Sequence, residues 1–376
     1  MKNLSKIHLE SPTVLEQFRA AVSLHSHTLH SQETMLFLHH LSARFRLVRS
    51  ALERGKAQYR AVHGSTMDLN RAWWTPPLAP YDAWLLERNE IQNRLGLDAL
   101  ISPTDHDNIE GPLGLRVIDE CRHVPVSVEW AVPYGPTSFH LGVHNLQPHL
   151  ARQLMAELKS LTELRHTMKI AGLLQTLDDS SETLIVFNHP CWDENRIGQE
   201  QHMEWATQFV RQYGNSLHAL ELNGLRPWAE NRQVLQMASE LNKPVISGGD
   251  RHALEPNTML DLTNAATFPE FVEQVRSGWT NVLVTDQYRE PFGLRILRNI
   301  EEIMQDYANH RRGWRQWSDR VFYHCDDGVV RSLTALFCNR VPGAVRLFVH
   351  GISLLQCSRL RQKFRFAFPR RQEFAF

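Results

Sequence analysis

The chain has few cysteines, no net charge and no long apolar run, and each absence excludes a class of protein. Its five cysteines, at 121, 191, 325, 338 and 357, include no CxxC pair. An odd number without close spacing argues against both a disulfide framework and a thiolate zinc site, and leaves buried, reduced thiols as the reading. Lys+Arg and Asp+Glu both number 41, so no global field draws the chain to nucleic acid or to an anionic membrane. Nowhere do about 18 uncharged apolar residues run together, as a membrane span requires. The opening stretch, MKNLSKIHLESPTVLEQF, lacks the apolar core of a secretory signal. The expectation is a soluble, cytoplasmic protein with no membrane span. What the chain does have is a 42% hydrophobic composition over 376 residues, enough for one large core, and 20 histidines. That many imidazoles in a neutral chain call for a search for metal-ligand spacing.

Between about 21 and 285, short apolar runs alternate with amphipathic helical stretches, the pattern of βα units around a largely parallel sheet. Strands are expected at 21–24, 99–102, 124–128, 139–143, 183–187, 219–222, 244–247 and 280–285. Helices are expected at 82–95, 148–161, 231–241 and 269–277. The stretch 33–80 is long for a connection and carries its own helical pattern, so it reads as a lid or inserted segment. After about 288 the character changes. The end of the chain, 340–376, holds eight Lys or Arg against one Glu, interleaved with Phe and Leu. The division expected is a catalytic domain over 1–288 and a helical, basic C-terminal extension over 289–376. The density of apolar side chains in that extension favours packing, including a homo-oligomer, over nucleic-acid or membrane contact.

Several apolar runs end in a metal-ligating residue. His25-Ser26-His27-Thr28 follows the first, and alternation along an extended chain points both imidazoles the same way. Thr104-Asp105-His106-Asp107 follows the second, Glu129 ends the third, His140 lies in the fourth, and His189-Pro190 follows the fifth. Asp250-Arg251-His252 repeats the alternation after Gly248-Gly249. Imidazole combined with carboxylate suits Zn, Mn or Fe. In α/β barrels the reactive groups sit where strands end at the C-terminal face, so these clusters are expected to converge. Asp105 and Asp107 read as partners that orient His106, and Asn188 as a group that binds the backbone. His39, His40, His144 and His202 have no motif behind them and read as ordinary histidines.

The ordered set HxHT, TDHD, a strand ending in Glu, FHLGV, NHP and GGDRH resembles the PHP (polymerase and histidinol phosphatase) family of phosphoesterases over about 22–285. The resemblance implies a distorted (β/α)7 TIM-like barrel whose rim holds two or three divalent metal ions. Carried over, His25 and His27 with Asp250 are ligands of a first metal. Glu129 bridges to a second, completed by His140 and His189, and His106 and His252 serve a third. The family pattern places an Asp where this chain has Gln32, with Glu33 or His30 as substitutes, and this leaves two or three metals open.

Hydrolysis by metal-activated water follows from such a centre, with His106 or His252 as the proton donor to a leaving group. Arg196, Arg226 and Arg251 lie near rim motifs and are candidates for bidentate phosphate binding, with Arg251 placed in the catalytic set. The expected substrate is a small phosphorylated molecule or a nucleotide or oligonucleotide end. Trp73 and Trp74, near the end of the 33–80 stretch, either stack a base or close over the site. Two alternatives stand beside the phosphoesterase. One is an amidohydrolase, against which no Lys ends a strand between Glu129 and Asp250. The other is a non-catalytic PHP module, for which Gln32 is the argument.

Overall fold

The computed structural model describes residues 4–306, 310 and 312–337, apart from 36 and 45. Cys338, Cys357 and the basic stretch 340–376, with the oligomer reading attached to it, lie outside the described residues. In chain order the strands are β1 (Leu4–Leu9), β2 (Ala20–Leu24), β3 (Glu33–Thr34), β4 (Ala72–Trp74), β5 (Asp98–Ser102), β6 (Asp105–His106), β7 (Val126–Tyr134), β8 (Thr137–Leu146), β9 (Leu184–Asn188), β10 (Ala219–Asn223), β11 (Val245–Gly248), β12 (Met259–Thr263), β13 (Trp279–Val284), β14 (Val321–His324) and β15 (Val330–Ser332). They form a five-stranded sheet in the order β1-β13-β12-β2-β5, a six-stranded sheet in the order β11-β10-β9-β8-β7-β6, and a small sheet in the order β15-β14-β4-β3.

The architecture is mixed α/β, and among the described residues its strands do not close into the distorted (β/α)7 TIM-like barrel expected. β7 and β8 make one long antiparallel hairpin turned at Gly135 (φ 57°), β9 continues it antiparallel, and β12 runs antiparallel to both β2 and β13. The two large sheets touch at the rim through a few backbone bonds. Gly249 N–H donates to Leu24 O (3.0 Å), Asp250 N–H to His25 O (2.7 Å), His27 N–H to Arg251 O (2.9 Å) and Thr104 N–H to Ser26 O (2.8 Å). His25 (φ 57°) and Asp250 (φ 52°) sit in the left-handed region, which breaks the extended backbone that a continuing ladder needs. The sheets pack against each other through the core, as Ser247 on β11 does against Asp261 on β12, and exchange backbone bonds at the rim where the metal-ligating motifs are.

Helices pack on the outer faces for ordinary reasons. Phe268–Arg276 starts on the Thr267 side chain, which accepts from Glu270 N–H, and carries Pro269 in its first turn. Its Phe268, Phe271, Val272 and Val275 follow helical spacing and are buried together against β2 and β9. Each such side chain contributes roughly 1.5–3 kcal/mol.

The 33–80 stretch folds as helices Phe37–Arg44 and Arg46–His63 followed by β4. Its hydrophobic cluster is shared with the end of the chain: Tyr59 packs with Tyr323, Cys325, Leu336 and Phe337. The C-terminal extension is thus not wholly helical, since β14 and β15 complete the small sheet.

Asp261, in the middle of β12, is fully buried and accepts from Ser247 N–H (3.1 Å) and Ser247 Oγ–H (2.8 Å). Burial pushes its carboxyl up to about 8, and the charge of Glu221 adds to the shift while the Ser247 bonds oppose it. A raised folded-state pKa means stability is fully present below the unfolded pKa near 4 and lost as pH rises through the folded value. Asp261→Asn is therefore expected to flatten thermal stability between pH 5 and 9 and to raise Tm above wild type at pH 8. A variant whose Tm tracks the wild type across that range would contradict this.

Candidate metal centre

Eight of the rim residues singled out by sequence come together at the line where the sheets meet. Glu129 lies at the middle, fully buried on β7. Its Oε1 is 3.1 Å from His25 Nε2, 3.2 Å from His189 Nε2 and 3.6 Å from His140 Nδ1; its Oε2 is 3.3 Å from His27 Nε2 and 3.2 Å from His106 Nε2. Asp250 Oδ1 faces His25 Nε2 (3.6 Å), His27 Nε2 (3.5 Å) and His252 Nδ1 (3.5 Å). Three overlapping groups have the spacing to hold an ion: His25, His27 and Glu129; His106, Glu129 and His140; and His27, Glu33, His106 and His252.

The local backbone brings this about in a way alternation alone does not. His25 is not in extended conformation; with His189 (φ 29°) and Asp250 it is one of three site residues at positive φ. Such backbone costs on the order of 1–3 kcal/mol per residue and gathers at functional sites. The His25 and His27 rings meet edge to face, 5.1 Å between centroids. Gly248 is required next to them, because a Cβ there would lie 1.6 Å from the Glu221 carboxylate.

The outer partners fix which nitrogen of each ring faces inward. His25 Nδ1–H donates to Glu221 Oε1, His27 Nδ1–H to Ser31 Oγ (3.2 Å), and His252 Nδ1–H to the Asp250 carbonyl (2.8 Å). Each Nε2 then faces a carboxylate: Glu129 for His25 and His27, and Glu33 (3.1 Å) for His252. Without an ion, burial opposes charge on the His25 and His252 rings, yet these carboxylates raise both above their ordinary range. Either a ring proton or a cation lying between ring and carboxylate satisfies such a contact, and a metal requires the neutral ring. His25 Nε2, His27 Nε2 and Glu129 Oε2 are all buried without a hydrogen-bond partner. A buried polar atom in that condition costs about 1–3 kcal/mol, and a divalent ion would satisfy all three, so the residues present fit one.

The electrostatics carry the same signature. Burial disfavours the charged form of Glu129 and Asp250, yet the surrounding histidines, His25 first, hold both carboxyls well below the usual range. Burial opposes a charged His106 ring, but Glu129 and Glu33 outweigh it and raise that ring to about 9. Desolvation pushes His27 down to about 3 and His140 to about 4. The buried carboxylates favour positive charge beside them, on a ring or on an ion.

Several residues are placed otherwise than expected. Arg251 does not face the cluster as a catalytic group. Its Nε donates to Glu87 (2.9 Å) and its Nη1 to the Ala253 carbonyl (3.0 Å), in a buried pair behind the rim. Asp105 accepts from Thr28 N–H (2.6 Å) and Thr28 Oγ–H (2.9 Å), so it anchors the HxHT turn and not His106. Asp107 accepts from Ala131 N–H (3.1 Å), and Asn188 donates to Glu129 (2.9 Å) and not to backbone. Gln32 points to solvent, whereas Glu33 is buried beside His106 and His252. Arg196 is exposed. Arg226 is at the edge of the cluster, with Nη2 3.6 Å from Asp250 and its guanidinium 3.6 Å over the Trp192 ring. Glu194, which the sequence did not single out, lies 3.5 Å from His140 Nε2. Trp73 is committed to Phe322 and His324, and Trp74 leans on the His252 ring, 5.8 Å between centroids.

Among the described residues no helix is long and apolar enough to cross a membrane. No family model matches the chain, and no curated protein matches it. Solved structures similar to it include PsfC from Pseudomonas syringae PB-5123, 14% identical over 76% of this chain and 98% of that one, with a TM-score of 0.35. A protein described as a metal-dependent phosphoesterase from Bifidobacterium adolescentis is 14% identical over 54% of this chain and 92% of its own, with a TM-score of 0.33. An amidohydrolase from Chromobacterium violaceum, with sulfate bound and no metal, is 16% identical over 48% and 84%, also with a TM-score of 0.33. These scores are too low to argue from, so the functional reading rests on the motifs and on the geometry of the cluster.

Proposed function

We propose that the chain is a metal-dependent phosphoesterase of the PHP type that hydrolyses a phosphomonoester or phosphodiester with metal-activated water. The observation that carries the reading is the convergence of the Nε2 atoms of His25, His27 and His252 on carboxylates, each ring held at Nδ1 by an outer partner. On this reading His25, His27 and Asp250 hold a first ion, with Glu129 shared. His140 and His189 complete a second position with Glu129, and His106, His252 and Glu33 form a third. Bound divalent ions such as Mn, Zn or Fe supply Lewis acidity that brings a water toward neutral pKa and offsets charge on a phosphoryl oxygen.

The chain supplies binding and orientation. Of the three candidates for phosphate binding, Arg196, Arg226 and Arg251, Arg226 takes the role. Its guanidinium is stacked on Trp192 and borders Asp250, and a planar fork suits phosphate oxygens in a way an ammonium does not. Glu221 and Ser31 keep the His25 and His27 rings in the ligating tautomer. His106 and His252 are assigned to the third position and not to proton donation, because Nε2 of each faces Glu33. Glu33 within the cluster also removes the motive for a non-catalytic module, which rested on Gln32.

The reading is tested by metal content per chain together with phosphate release from an aryl phosphate, a dinucleotide and a short RNA after Mn loading. Bound metal with turnover is the expected result, and a metal-free, inactive protein would refute it. Arg226→Ala is expected to raise KM about 10- to 100-fold, the loss of one charge-assisted contact of roughly 1.5–3 kcal/mol, while metal content stays at the wild-type level. Unchanged KM would remove Arg226 from the site.

A further inference from the structure

We infer that the segment following β13 is a working part of the metal centre: the end of its helix, Phe292–Ile303, grips both arms that carry the third ion position, and Arg320 is the positioning residue that links them. The inference rests on the metal-dependent reading above and adds to it a control of one position by a distant part of the chain.

The first position is built from β2, β7 and the rim turn at Asp250, all within the two large sheets. The third draws on two weaker supports. Glu33 lies on β3, a strand of two residues, too short to hold a side chain in place by itself. Its place depends on its register with β4, where Glu33 pairs with Trp74, and on β4 in turn pairing with β14, where Trp74 pairs with Val321. Arg320, directly before that strand and 2% exposed, clips the arrangement at its end. Its Nη1 donates to Thr75 O (3.2 Å), Thr75 N–H donates back to Arg320 O (2.9 Å), and its Nη2 donates to the carbonyls of Ile303 and Gln305.

The other support is the loop after Asp250. Leu254, two residues beyond His252, donates its N–H to the Glu302 carboxylate (2.9 Å), and Glu255 of the same loop pairs with Arg298 (2.6 Å). Adjacent residues at one helix end, Glu302 and Ile303, therefore hold the His252 arm directly and the Glu33 arm through Arg320. The arms meet where Glu33 Oε2 faces His252 Nε2 at 3.1 Å. Loosening the helix end separates these two groups while His25, Glu129 and Asp250 keep their own supports; His27, whose Nδ1 lies 3.6 Å from Glu33 Oε1, borders both positions.

The test is equilibrium dialysis of full-length protein against Mn, with ions counted per chain. The proteins are wild type, Glu33→Gln, Arg320→Ala and Glu302→Ala, with Arg19→Ala, a surface pair to Asp98, as control. Arg320→Ala and Glu302→Ala are expected to bind one ion fewer, as Glu33→Gln does, or to weaken the last ion about 10- to 100-fold, the range for groups that orient a ligand without touching the ion. The remaining ions and the circular dichroism spectrum stay as in wild type and Arg19→Ala. Should Arg320→Ala fail to fold, the partly exposed Glu302 site decides alone. Loss of an ion in Glu33→Gln but in neither positioning variant overturns the inference and spares the centre. A wild type whose ions Glu33→Gln leaves unchanged overturns the third position and the inference with it. A wild type that binds no ion refutes the metal-dependent reading itself.

Discussion

Glu129→Gln is expected to abolish phosphate release, by on the order of 10³-fold or more, and to leave the protein folded but depleted of metal. The magnitude follows from the several kcal/mol of charge stabilisation that metal sites supply. Among the described residues Glu129 is the one carboxylate within 3.6 Å of five imidazoles, three through Oε1 and two through Oε2. An amide keeps the shape and can accept from Asn188 as the carboxylate does (2.9 Å). It carries no charge to attract a cation, and its NH2 places a donor where an ion would lie. The check is elemental analysis beside steady-state kinetics on the Mn-loaded variant. Wild-type turnover with wild-type metal content would remove Glu129 from the centre of the mechanism.

How much of this was legible in the sequence depends on the distance over which each feature is decided. His25, His27, His106, Glu129, His140, His189, Asp250 and His252 are all legible because each ends or borders an apolar run, and the structure gathers them. Arg251 was misread although the needed signal is present. The alternation that sends Asp250 and His252 to one side sends Arg251 to the other, where Glu87 on helix Pro80–Asn89 receives it. The same alternation from buried Ser31 past exposed Gln32 selects Glu33. The failure of the barrel to close was not legible. The strand ends β2 and β11 lead into left-handed backbone at His25 and Asp250, and no composition rule places non-glycine residues there. β12 was missed because a buried Asp261 interrupts its apolar run, and β1 because Lys6 and His8 do so. The pairing of β4 with β14 spans some 250 residues, a separation that local pattern does not reach.

Chelation is expected to lower thermal stability more than any single surface substitution, because the metal-free cluster is poorly compensated. Glu33, Glu129, Glu221 and Asp250 are four carboxylates buried within contact of one another's histidine partners. Ring protons, the guanidinium of Arg226 and neutral donors such as Asn188, Asn223 and Ser31 offset them in part. Burying like charges without a counter-ion is among the costliest arrangements in a protein interior. Any ion that binds the folded chain alone stabilises it by mass action, about 4 kcal/mol for one site at a thousandfold its Kd. Thermal unfolding with and without EDTA, repeated on Glu129→Gln, separates this from a general effect of the chelator. Wild type is expected to lose several degrees of Tm with EDTA and recover them on adding back Mn. The variant, already without the shared ligand, is expected to show a much smaller shift. Equal shifts in both proteins would mean that the stabilising ions bind elsewhere.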